Sequence, residues 1–234
     1  METRPLGYQA PQHLEDLAYL TSHLKADPQA APLASDVDPT YSSLKAQIED
    51  WDSKAHGLQE AQTSLENYDL VQDNAVRTAR GVILTAVDHD RNSPRYVTFF
   101  PRGLTAVIAA PFADEVATVR SLAERCARDP SPEVQAQAEP LSTAAAQVAA
   151  ALERRQDAVV AELTSYGQLQ VQKLTAIDTA RRVSYRLAEL YPHDRARVRS
   201  FFRQVSKTSR PKSVPAPATV PVTATAPAAQ GAAA

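Results

Sequence analysis

The sequence predicts an all-α fold, an elongated antiparallel helical bundle or coiled-coil hairpin built on two long helices. Three observations carry that expectation. Residues 40–93 and 141–191 contain no proline, although the chain has 17, and proline breaks a helix interior. Both windows are rich in Ala, Leu, Gln, Glu and Arg, which are good helix formers. Both also place apolar residues at alternating steps of four and three, the coiled-coil spacing. At 1.5 Å per residue, each helix would be roughly 70–80 Å long.

Composition agrees with a thin architecture. Of 234 residues 44% are hydrophobic but only 6% aromatic, and much of the apolar share is alanine. Alanine buries little area, which suits narrow helix–helix seams. The net charge of −2 gives no global pull toward nucleic acid or membrane. The single cysteine, Cys126, excludes an intramolecular disulfide and reads as a small buried side chain. Met1-Glu2-Thr3-Arg4-Pro5 leads into no apolar signal region, and no run approaches the ~20 apolar residues of a membrane span. The expected compartment is the cytoplasm, with no membrane partner.

Along the chain, residues 1–10 read as a flexible lead, 11–206 as the helical bundle domain and 207–234 as a disordered tail. A first helix runs from Pro11 to about Lys25, with Leu14, Leu17, Leu20 and Leu24 on its apolar face. The first long helix opens at Asp38-Pro39-Thr40, with Asp as N-cap and Pro at N1. Its seam is Leu44, Ile48, Trp51, Ala55, Leu58, Gln62 and Leu65. The pattern then slips by three to Tyr68, a stammer, before resuming as Gln72, Ala75, Ala79, Val82 and Ala86.

From Asp88 to Pro111 the helical pattern fails. Residues 95–100 are β-branched and aromatic and precede Pro101-Arg102-Gly103. They suit either a small β-hairpin or an apolar loop capping one end of the bundle, and we favour the cap. A short helix follows over 112–128, with Val116, Val119, Leu122, Ala123 and Cys126 on one side. The second long helix has a kink or fresh start at Pro140. Its expected seam is Leu141, Ala145, Val148, Leu152, Gln156, Val159, Leu163, Tyr166, Gln170, Leu174 and Ile177. A final helix over 192–206 carries Val198, Phe201, Phe202 and Val205. From Ser213 onward the tail is uncharged and dominated by Pro, Ala, Val and Thr, a composition that buries too little to offset ordering entropy.

Motifs for chemistry are weak. Asp88, Asp90 and Asn92 alternate as in a calcium loop, but Ser93 and Phe99 stand where that loop needs Gly and Glu; the residues read as a polar turn. His13, His23, His56, His89 and His193 show no metal-ligand spacing. No serine sits in a nucleophile elbow, and six glycines are scattered singly, without a phosphate loop. We therefore expect no catalytic, cofactor-binding or metal residues and no cofactor.

Charge layout is the sharper signal. Residues 181–212 hold ten basic side chains against Glu189 and Asp194, a net of +8. One reading is an anion or nucleic-acid site centred on Arg195, Arg197, Arg199 and Arg203. The favoured reading is intramolecular: in an antiparallel pair, this run lies beside the acidic first long helix, which holds Glu49, Asp50 and Asp52. The expected function is a non-catalytic structural or protein-interaction module, its partner a protein (self or other) met through helical faces. Nucleic-acid binding is the alternative.

Overall fold

A computed structural model describes Gly7 and residues 9–203. Its elements are α1 (Ala10–Ala26), a 3-10 turn (Ala31–Leu33), α2 (Ala34–Thr85), α3 (Pro94–Phe99), α4 (Thr105–Ile108), α5 (Phe112–Ala127), α6 (Pro132–Gln135), α7 (Ala138–Leu190) and α8 (Arg195–Ser200). The fold is all-α, with no strand among the described residues. Two helices of 52 and 53 residues, α2 and α7, pack together along their length. Among the described residues, no helix is long and apolar enough to cross a membrane. The expected tail over 207–234, and most of the flexible lead over 1–10, lie outside the described residues.

Bonds between α2 and α7 fix their relative direction. The Thr40 and Thr179 hydroxyls bond at 3.1 Å, Trp51 Nε1 donates to Glu162 Oε1 at 2.9 Å, and Arg155 donates to Gln62. Arg186, near the end of α7, pairs with Asp36 at the start of α2. Numbers on α7 fall as those on α2 rise, so the two helices run in opposite directions.

Four expectations need correction. First, α2 starts at Ala34, not at Asp38, and Pro39 lies inside it. Ala34 and Val37 are buried beside Leu17, Leu20 and Leu24 of α1, and this packing outweighs proline's disfavour for helix interiors. Second, residues 95–110 form two helical turns, α3 and α4, not a hairpin. Pro94 occupies N1 of α3, and the Ser93 hydroxyl accepts from Tyr96 N at 3.2 Å. Tyr96, Phe99 and Phe100 are buried in the core of that end, so the apolar-cap alternative describes this segment better.

Third, α2 has no stammer. The seam steps Leu44, Ile48, Trp51, Ala55, Leu58, Gln62, Leu65, Asp69, Gln72, Val76, Ala79 and Ile83, strictly four and three. Skipping the polar Asp69 in favour of Tyr68 creates the apparent slip. Fourth, the α7 seam is Ala144, Val148, Ala151, Arg155, Ala158, Glu162, Ser165, Leu169, Gln172, Ala176, Thr179 and Val183, all buried or half-buried. Only Val148 is shared with the expected set. This seam is small and polar; the more apolar stripe on α7 lies elsewhere.

Two cores result. One gathers Leu65, Val76, Ala79 and Ile83 of α2 with α3, α5 and the first part of α7. The other gathers α1, the start of α2, the last third of α7 and α8. Between them lies a waist: no residue is buried between Leu44 and Leu65 on α2, or between Ala151 and Ser165 on α7. A two-helix layer has solvent on both flanks, so its seam can be hydrogen-bonded rather than oily. Gln47 Nε2 accordingly donates to the Ser165 carbonyl and hydroxyl at 3.2 and 3.0 Å.

Candidate functional site

Among the described residues the basic segment is largely engaged within the chain; Lys207, Arg210 and Lys212, with Val205 of the expected final helix, lie outside them. Arg197 is bonded to Asp27 and Arg203 to Glu15, while Arg186 holds Asp36 and Arg181 pairs with Asp178 at 3.4 Å. Arg195 and Arg199 are exposed. The acidic partners come from α1, the loop after it and the first turn of α2, not from Glu49, Asp50 and Asp52. Asp27 is the hub of this end. Desolvation pulls its carboxyl up, but bonds from Arg197, Tyr191 and the Gln29 and Ala30 amides outweigh that and hold it below the ordinary range. Arg197 also lies over the Tyr191 ring, 4.2 Å from its centroid, a cation–π contact.

At the opposite end sits a buried acidic cluster that the sequence pattern did not mark. Glu115 of α5 is 2% exposed, and its carboxyl is pushed up to about 7 by burial, with Asp69 and Asp73 adding repulsion. Gln72 is wholly buried beside it, and its amide tempers the rise without reaching good hydrogen-bond geometry. Asp69 and Gln72 are two of the three polar seam positions of α2, Gln62 being the other. Among the described residues, no group of three or more His, Cys, Asp or Glu is placed to hold a metal ion. Asp88 and His89 take positive φ (51° and 63°), and the Asp90 carboxylate accepts from Asn92 N at 2.8 Å: the polar turn ends α2. Cys126 is buried, and burial pushes its thiol up to about 11, far from a reactive thiolate.

A cleft of about 660 Å³ opens where the start of α1 meets the waist, lined by Ile48, Trp51, Tyr166, Leu169 and Lys173 among others. Lys173 is 7% exposed, its ammonium donates to Gln170 Oε1 at 3.3 Å, and burial lowers its pKa. The Trp51 and Tyr166 rings face one another at 6.1 Å.

The most distinctive surface is the outer face of α7, from the waist into the end where α1 packs. Leu163 and Leu174, expected in the seam, are 61% and 47% exposed, and Val160 and Val171 beside them are 54% and 59% exposed. At 3.6 residues per turn, these four share one face, roughly opposite Ser165, Leu169 and Ala176. Where α5 packs against it, α7 has a broader buried face, including Leu141, Ala144, Ala145 and Val148. Stepping on from Leu141, Ala145, Val148 and Leu152 by threes and fours leads through Gln156 to Leu163. Leu163 thus continues, beyond α5, the row of α7 residues that α5 covers.

The remaining seam candidates divide. Leu44, Leu65 and Ile177 are buried; Ile48, Trp51, Leu58, Leu152 and Val159 are half-buried; Tyr166 is exposed at the cleft. No family model, no curated protein and no solved structure matches this chain.

Proposed function

We propose that this chain is a non-catalytic protein-interaction module: an elongated helical hairpin, thickened at both ends, whose waist presents a docking face on α7. A single exposed apolar side chain is ordinary, and contiguous patches are not. The observation that carries the reading is the stripe of Val160, Leu163, Val171 and Leu174, each about half exposed or more, on one helical face. Apolar side chains repeated along one face, here at i, i+3, i+11 and i+14, are how a helix docks against a partner. The polar, hydrogen-bonded seam beneath holds α7 in register without using those side chains.

A photo-reactive phenylalanine analogue at position 163 or 174, and at exposed Glu49 of α2 as control, tests this in the native cell. Adducts confined to 163 and 174 are expected. Equal labelling at all three positions, or none at any, would end the proposal.

A further inference from the structure

We infer that the occupant of this face is a second copy of the same chain, its α7 laid antiparallel on the first about a two-fold axis at Gly167. This deepens the protein-contact reading and rests on it. In a two-fold interface residue i meets residue j and j meets i, so the stripe must be symmetric in sequence about its midpoint. It is. Leu163 and Val171 lie four residues either side of Gly167, and Val160 and Leu174 lie seven either side. Leu163 then packs on the partner's Val171, and Val160 on the partner's Leu174.

Charge follows the same symmetry. Glu153 and Arg181 each stand fourteen residues from Gly167, both exposed and on the same side of α7 as the stripe. The antiparallel arrangement sets Glu153 against the partner's Arg181 twice. A parallel one would set Glu153 on Glu153 and Arg181 on Arg181. Between Ala158 and Ile177 the only charged residues are Glu162 and Lys173; just beyond them Asp178, exposed on the same side as the stripe, pairs with Arg181 of its own chain. Glu162 accepts from Trp51 and Lys173 is buried, so neither lies on the outer face. The rim of the stripe is Thr and Gln, which suits the charge-depleted centre of an interface.

Gly167 fits the axis. A glycine inside a helix is about 1 kcal/mol less favourable than alanine. A side chain at this position would meet nothing in its own chain within 4 Å, as is also true of Gly57 and Gly81 in α2, so Gly167 leaves room for a second backbone to approach closely.

The interface is modest. From Glu153 to Arg181, α7 runs ~42 Å, and a helix is ~10 Å wide, giving about 400 Å² per chain. That is about half of a standard interface, so the dimer forms reversibly with concentration.

Sedimentation of the full chain, from about 1 µM to about 1 mM, should show a shift from one-chain to two-chain mass in this weak-interface range. Leu163→Glu should abolish the shift while leaving the helical circular dichroism unchanged. Under mild oxidation, Gly167→Cys should cross-link to itself. Leu163→Cys should not, because its copies lie ~12 Å apart along the helices, but it should cross-link to Val171→Cys when the two are mixed. A chain that stays monomeric throughout, or a Leu163→Cys that links to itself as readily as Gly167→Cys, would overturn the two-fold arrangement. In either case, photo-adducts at 163 and 174 decide separately whether the face docks a different protein.

Discussion

Arg197 donates from Nε and Nη2 to the same oxygen of Asp27, at 3.2 and 2.7 Å. It thereby fastens α8 to the loop that follows α1. Asp27 Oδ1 meanwhile accepts from Tyr191 Oη at 2.8 Å, and Tyr191 stacks on Phe201 with centroids 6.1 Å apart. One carboxylate therefore joins the end of α1, the end of α7 and α8.

Replacing Asp27 with Ala should release α8 before the rest of the protein unfolds. Amide hydrogen exchange over 195–201 should accelerate well ahead of exchange in α2, as expected of a local opening. Unchanged protection there would show that α8 is held by Val198 and Phe201 packing alone.

The same bonds set an expectation for nucleic acid. Arg197 and Arg203 are engaged by Asp27 and Glu15, so duplex DNA should bind barely, and the joint Gln substitution of Arg195, Arg197, Arg199 and Arg203 should change little. A strong low-salt affinity falling with a log–log slope of about 0.9 per phosphate contact, and lost in that variant, would instead make the segment an anion site.

Glu115 predicts an unusual pH profile. Its carboxyl titrates near 4.5 when unfolded and at about 7 when folded. Between those values the folded chain holds a proton that the unfolded chain has lost, so stability falls as pH rises from 4.5 to about 7 and is flat above. Asp27 and Asp129 act in the opposite sense. Burial pulls Asp129 up, but its bonds from Arg95 and the Ser131 amide hold it below the ordinary range. The stability these two confer is present above the ordinary 3.8 and is lost as pH falls through their lowered values. Chemical denaturation should therefore find maximum stability in mild acid. Glu115→Gln should remove the decline and stabilise the protein at pH 8 by about 3 kcal/mol. A wild-type profile that is flat between pH 5 and 8 would show that the cluster is solvated.

Trp51 is half-buried at the edge of the waist seam and donates to Glu162. Trp51→Ala should cost about 1–3 kcal/mol, less than the ~3–5 of a fully packed aromatic, and Trp51→Phe should recover the packing but not the hydrogen bond. A loss above ~4 kcal/mol would mean that the waist is as tightly packed as the two ends.

The lengths and positions of the long helices were legible because proline exclusion and heptad spacing are local signals. The α2 seam was legible as far as Leu65; beyond it the polar Asp69 hid the continuity of the repeat, and the apolar spacing led to Ala75, Val82 and Ala86 in place of Val76 and Ile83. On α7 the pattern misled for a physical reason. Its face toward α2 is built largely from Ala, Ser, Thr, Gln, Arg and Glu, satisfied by bonds with Gln62, Trp51, Gln47 and Thr40. Leu163 and Leu174 carry more hydrophobicity on the face that α2 does not touch. Hydrophobic spacing finds the most apolar stripe, and in a thin two-helix waist that stripe need not be the intramolecular one. Glu115 gave no signal at all, because only the approach of α5 to the Asp69–Gln72 layer makes it a buried acid.

That distinction between seam and stripe can be measured directly. Leu44 and Leu65 are fully buried, and truncating either to Ala should cost ~2–5 kcal/mol, the range for a core leucine. Leu163→Ala and Leu174→Ala, at dilutions where the chain is monomeric, should stay within about 0.5 kcal/mol of the parent, as surface substitutions do. Both sites are ordinary leucines at heptad-like positions, so sequence alone would assign all four the same cost. If Leu163→Ala destabilised the monomer as much as Leu65→Ala, Leu163 would have to lie between the helices. The outer face would then lose its centre, and the docking proposal with it.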